Sequence, residues 1–206
     1  MFDLLFNNPL VFLYWFVALI IAVTLHEFAH AFVADKLGDP TPRMMGRVSL
    51  NPLDHLDPIG TIAILIAHIG WGKPVPFDPY NLDNPKRDTL LIAVAGPVVN
   101  LILAIISALL LHLNLPIIGL LSGFLLIMVY LNVGLAIFNL LPIPPLDGSK
   151  ILQGILPDDK SQEWEIFSQR YGLMLLLFFL FPFGGSSIAG AIISPIINII
   201  SALLLG

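Results

Sequence analysis

Cysteine is absent from this sequence, which excludes a disulfide framework and any thiolate chemistry. Charge is scarce: 11% of the residues are Asp, Glu, Lys or Arg, against roughly 25% in ordinary globular chains. Nine Lys and Arg stand against fourteen acids, for a net charge of −5, and no basic patch or base-stacking motif points to a nucleic-acid partner. The first eight residues hold Asp3 and no Lys or Arg. That is the wrong start for a signal peptide, so the first apolar segment is expected to stay in the mature protein.

Apolar residues dominate instead, at 57% of 206. The expected fold is an all-α polytopic membrane protein of about four to six transmembrane helices, with a short re-entrant or β-hairpin segment after the first helix. It reads as a single domain over residues 1–206. The candidate spans are Pro9–Ala34, Leu90–Leu113 and Pro116–Leu141. A last apolar region, Tyr171–Leu205, is broken by Pro182-Phe183-Gly184-Gly185 and reads as one irregular span or two helices in a hairpin. Ile59–Trp71 is too short for an ordinary span and reads as re-entrant. If it does not cross, all nine Lys and Arg fall on one side, as expected for the cytoplasmic face. Met45–Leu50 could form a short strand or hairpin at the surface, and Asp158–Arg170 an interfacial helix. His68 and His112 read as interfacial, and Tyr14, Trp15, Trp71 and Trp164 as aromatic belts.

Within the first span lies His26-Glu27-Phe28-Ala29-His30. Residues four apart share a helix face, so His26 and His30 can present two imidazoles to one metal ion, with Glu27 beside them to take a proton from water. Polar groups at that depth are costly and mark a functional site by default. A catalytic zinc site usually has three protein ligands. Asp147 is a candidate, following Asn139-Leu140-Leu141-Pro142-Ile143-Pro144-Pro145-Leu146, where prolines leave extended backbone tolerated at membrane depth only around a cavity. Asp147-Gly148 also suits a plain turn or helix cap. His30 lies six residues from Lys36, about 9 Å of helix, and Asp147 lies three from Lys150, so both groups sit near the basic side. His55, between Asp54 and Asp57, reads as an extra ligand, a group behind the ligands or a structural residue. Gly96 and Asn100 suit close helix packing, with Asn100 bonding across helices.

His26-Glu27-x-x-His30, Ala95-Gly96-Pro97-Val98-Val99-Asn100 and Asn139-Leu140-Leu141-Pro142-x-Pro144-x-Leu146-Asp147-Gly148, in that order over residues 10 to 155, resemble the site-2 protease family of intramembrane zinc metalloproteases, peptidase family M50. Ser49–Gly60 resembles a short subgroup without a PDZ or CBS domain. The resemblance implies that His26, His30 and Asp147 hold one zinc ion and that Glu27 is the catalytic base. Asn139 would position substrate or the reacting carbonyl. It also implies a multi-pass protein of the cell membrane, its site nearer the cytoplasmic side, cutting transmembrane or membrane-anchored protein substrates in regulated intramembrane proteolysis. A substrate helix must unwind before attack, and Met45–Leu50 could hold the unwound stretch by β-augmentation. The rival readings are a transporter, since broken helices and buried polar groups also build ion paths, and an inactive family member that binds substrate without cleaving.

Overall fold

The structure, a computed structural model, describes residues 2–67, 70–113, 116–183 and 186–206; His68, Gly184 and Gly185 lie outside them. A short helix α1 (Phe2–Asn7) precedes α2 (Pro9–Lys36). Asn8 caps α2 by accepting from the Val11 N–H, and Pro9 takes the first turn, where its missing N–H costs nothing. After α2, Gly38 adopts φ +108°, a left-handed turn that favours glycine. There follow α3 (Thr41–Met44), a 3₁₀ turn at Pro52–Asp54, α4 (Pro58–Ala67) and a second 3₁₀ turn at Pro79–Asn81. The remaining helices are α5 (Pro85–His112), α6 (Pro116–Leu140), α7 (Asp147–Ile155), α8 (Asp158–Leu180) and α9 (Ile188–Leu205). A two-rung ladder pairs Pro182–Phe183 with Ser186–Ser187 between α8 and α9.

Among the described residues, α2, α5, α6 (over Leu121–Leu140) and α9 are long and apolar enough to cross a membrane. The chain is an all-α multi-pass membrane protein. Helix α6 packs between the others. Against α2 it buries Ala18, Leu19 and Ala22 beside Met128 and Leu131. Against α5 and α9 it buries Val129 and Val133 beside Ala104 and Ala108, with Ile197 and Ile200 packed on. Alanines four residues apart let the backbones approach closely, as lipid-embedded helices require. His112 at the end of α5 bonds the Leu204 carbonyl near the end of α9, so those two ends lie level.

Helix α4 has ten residues, about 15 Å of helix against a hydrocarbon core of about 30 Å. The two ends of its segment are tied together: Leu56 bridges Gly72, and the Lys73 N–H donates to the His55 carbonyl at 2.7 Å. The segment therefore returns to the side it left, as the re-entrant reading expects.

Other boundaries differ from expectation. Met45–Leu50 forms no strand. Gly46 turns the chain at φ +69°, the Arg47 N–H closes onto the Pro42 carbonyl, and the Arg47 side chain is buried, donating to the Lys73 carbonyl. Helix α5 begins five residues before Leu90, with Pro85 in its first turn and Asp88 Oδ2 reaching back to accept from the Asn84 N–H at 2.9 Å. Asp158–Arg170 is the first half of the longer α8, and the last apolar region is two helices, α8's end and α9. Trp164, expected in an aromatic belt, pins α8 to α7 by donating to Ser149.

Candidate metal centre

Helix α2 puts His26 and His30 on one face, both buried, with their ring centres 4.7 Å apart and nearly perpendicular. Each Nδ1 is engaged by an acceptor: that of His26 donates to Asn100 Oδ1 at 2.6 Å, that of His30 to the Ile92 carbonyl at 2.7 Å. A neutral imidazole carries one N–H, so each Nε2 is left with a lone pair. The two Nε2 atoms lie 3.0 Å apart, and Asp147 Oδ2 lies 3.2 Å from each. With both imidazoles neutral, three electron-rich atoms converge here, and Asp147 Oδ2 is buried without a hydrogen-bond partner.

Such an arrangement is repulsive unless a cation lies between the three atoms. Edges of 3.0 to 3.2 Å are close to the roughly 3.3 Å edge of a tetrahedron built on zinc–ligand bonds of about 2.0 Å. The trio is a sufficient donor set for one metal ion, and the residues fit zinc.

Helix α5 supplies the wall behind the imidazoles from one face, at Ile92, Gly96 and Asn100. A β-carbon at Gly96 would meet His30 Nε2 and lie 2.7 Å from His26 Nε2, so only glycine lets α5 approach the two imidazoles this closely. This close approach is the helix packing expected of Gly96 from the sequence. Pro97, one residue on, has no N–H to give the Ala93 carbonyl, next to the Ile92 carbonyl that receives His30. Asp147 opens α7 just after the proline segment. A side chain on Gly148 would strike the Leu140 and Leu141 carbonyls, so only glycine lets α7 start against the end of α6.

A cavity of about 560 Å³ opens onto this trio. Its polar end holds His26, Glu27, His30, Asn139, Asp147 and Lys150; Leu173, Leu176, Leu177 and Leu180 of α8 make an apolar wall. Glu27 is part-buried and faces the backbone at Gly72, where a β-carbon would lie 3.6 Å from its Oε1. Asn139 gives one amide proton to the Leu135 carbonyl at 3.0 Å, which leaves the second for the cavity. His55 does not join the group. It is fully buried, and its Nε2 donates to the Ser49 carbonyl at 2.7 Å, bracing the loop that carries the Leu56–Gly72 bridge.

Arg47, Asp39 and Asn132 are among the buried polar residues that escaped the sequence reading. Arg47 was counted only as a basic residue, and Asp39 passed for a solvated loop acid. Asp39 is fully buried, accepting from Thr41 N–H and Oγ1, Asp78 N–H and Asn81 Nδ2 at 2.6 to 3.0 Å. Burial alone would raise its carboxyl, but these hydrogen bonds outweigh burial and hold it below the usual range. For Arg47, burial pushes the guanidinium below its ordinary value despite the pull of Glu27 and Asp54. Asn132, fully buried on α6, could have been found by the rule that drew attention to His26: a polar side chain inside an apolar span needs a partner.

Known proteins of similar sequence carry zinc-metalloprotease names. The model of a family described as "Peptidase family M50" matches residues 113–180. A Bacillus subtilis (strain 168) protein named "Putative zinc metalloprotease YwhC" is 41% identical over 180 residues, 83% of this chain and 82% of its own length. Mycobacterium tuberculosis "Putative zinc metalloprotease Rip2" is 31% identical over 170 residues, 79% of this chain and 65% of its own. A Methanocaldococcus jannaschii protein named as a zinc metalloprotease is 30% identical over 156 residues, 73% of this chain and 36% of its own. No solved structure matches the chain significantly.

Proposed function

The chain belongs to peptidase family M50, and on that premise we propose that it is an intramembrane zinc endopeptidase that cuts transmembrane or membrane-anchored proteins. The observation that carries the reading is the convergence of His26 Nε2, His30 Nε2 and Asp147 Oδ2 on a cavity lined largely by apolar residues. Residues 1–206 act as a single protease domain in the cell membrane. Lys36, Arg43, Arg47, Lys73, Lys86, Arg87, Lys150, Lys160 and Arg170 all lie on one side of a four-span topology, which favours a cytoplasmic-facing site.

His26, His30 and Asp147 would hold the metal. When bound, zinc supplies Lewis acidity and a water acidic enough to attack a carbonyl near neutral pH. Glu27 takes the proton of the attacking water and passes it to the leaving amine. The remaining amide proton of Asn139 supports the carbonyl oxygen as charge develops there. The leucine wall of α8 accepts the apolar side chains of the substrate and excludes bulk water.

A substrate helix must give up its own hydrogen bonds near the scissile bond. Because Met45–Leu50 is not a strand, the holding edge moves to the irregular stretch Gly72–Phe77, of which Gly72, Pro74, Val75 and Phe77 line the cavity. Lys73 is engaged by His55 and Arg47, while Pro74 and Pro76 lack N–H groups. Val75 makes no backbone hydrogen bond among the described residues, and its N–H and C=O are free to pair with an unwound substrate.

The test is cleavage of a single-span model substrate by the full chain in a bilayer, with the cut located by mass spectrometry. A zinc-dependent cut inside the apolar segment, toward its cytoplasmic end, supports the reading. Cleavage confined to soluble peptides or to residues outside the bilayer would overturn it.

A further inference from the structure

Asn100 on α5 and Asn132 on α6 are both fully buried where the two helices cross. A primary amide is ambiguous: Asn100 could offer His26 Nδ1 either its oxygen or its NH₂. If it offered the NH₂, His26 would have to accept on Nδ1, its proton would move to Nε2, and Nε2 would be lost as a ligand. Something must fix the direction of the amide.

Asn132 supplies that direction. Its Nδ2 donates to the Met128 carbonyl at 2.8 Å, and a carbonyl can only accept. Asn132 Oδ1 is thereby turned toward Asn100 and receives Asn100 Nδ2 at 2.9 Å. A longer contact, Asn100 Nδ2 to the Ala22 carbonyl at 3.4 Å, points the same way. Asn100 Oδ1 is then left for His26 Nδ1, at 2.6 Å. Every link is set by the acceptor beyond it, and the series starts from a backbone carbonyl that cannot reverse.

We propose that Asn132 is a positioning residue of the metal centre: acting through Asn100, it keeps the His26 proton on Nδ1 and its Nε2 lone pair aimed at the metal. The proposal rests on the reading that His26 binds zinc. Asn132 hydrogen-bonds to no metal ligand and does not line the cavity, so its influence passes through the Asn100 amide.

Zinc affinity of the full chain in lipid nanodiscs, measured against a competing chelator, tests it with wild type, Asn132→Leu, Asn100→Leu and the double variant. Asn132→Leu should weaken zinc binding about 10- to 100-fold, the usual cost of losing a partner behind a ligand. Added to Asn100→Leu, it should cost little more, because the series is already cut. A folded Asn132→Leu protein with wild-type affinity would overturn the proposal, and so would a loss that adds in full to that of Asn100→Leu. If the leucine variant does not fold, ¹⁵N NMR of the histidines in metal-free wild type decides, with the His26 signal assigned by its absence in His26→Gln. A proton on Nδ1 supports the proposal and a proton on Nε2 overturns it. Wild type that fails to bind zinc would defeat the zinc reading itself, a result distinct from the others.

Discussion

Gly96 and Asp39 show how much single residues carry in a chain with few polar groups. A methyl group on Gly96 would press against the Nε2 atoms of both His26 and His30, the atoms that would bind the metal. Gly96→Ala is expected to abolish zinc binding, read by metal analysis of the purified protein. Its circular dichroism should stay helical, because alanine is the better helix former. Asp39 acts through charge. A carboxyl held low in the folded state stabilises fully above its unfolded value near 3.9, and that contribution is lost as pH falls through the folded value. Melting temperature should therefore drop as pH goes from about 5 to about 3, and Asp39→Asn should flatten that dependence. An equally steep drop in the variant would assign the acid sensitivity to other groups.

Among the elements, the stretch Gly72–Phe77 and helix α5 carry the most weight. Val75→Pro would remove the one N–H between Pro74 and Pro76 without disturbing the metal trio. It should slow cleavage of a membrane substrate about 10-fold, the size of one lost hydrogen bond, while zinc content stays at the wild-type level. Proline at Ser49, in the stretch first expected to be a strand, should have a smaller effect on cleavage; the reverse order would return the holding edge to Met45–Leu50. The sequence made parts of these elements legible and hid others. His26, His30 and Asn100 could be found because a polar residue in an apolar helix is conspicuous and helix spacing fixes its face. The irregular stretch between α2 and α5 could not, because its order comes from long-range bonds: Asp39 to Asp78 and Asn81, and Arg47 and His55 to Lys73. Periodicity carries no trace of such contacts. Gly96 was visible as a small residue, but that it faces imidazoles depends on how α5 packs on α2.

On the scale of the whole molecule, a topology of four spans with α4 returning to its own side would place every Lys and Arg on one face. Because the chain has no cysteine, single cysteines can report this without background. Tyr80→Cys, at a 96% exposed position, and Asp159→Cys should react with an impermeant maleimide from the cytoplasmic side. Leu113→Cys, just beyond α5, should react from the opposite side. Labelling of positions 80 and 159 from different sides would mean that the topology is wrong. Charge distribution alone pointed to this arrangement, but α4 could be settled only by the bond that ties its two ends. The division of α8 from α9 was likewise left open by hydropathy and decided by the paired residues between them.

These scales meet in the claim that a zinc site within the membrane hydrolyses peptide bonds with Glu27 as its base. The most direct test measures zinc content and membrane-substrate cleavage together, on wild type and Glu27→Gln purified alike. Glutamine keeps the shape but cannot accept the proton. The account predicts about one zinc per chain in both proteins and cleavage by wild type alone. Cleavage retained by Glu27→Gln, with zinc in place, would contradict it.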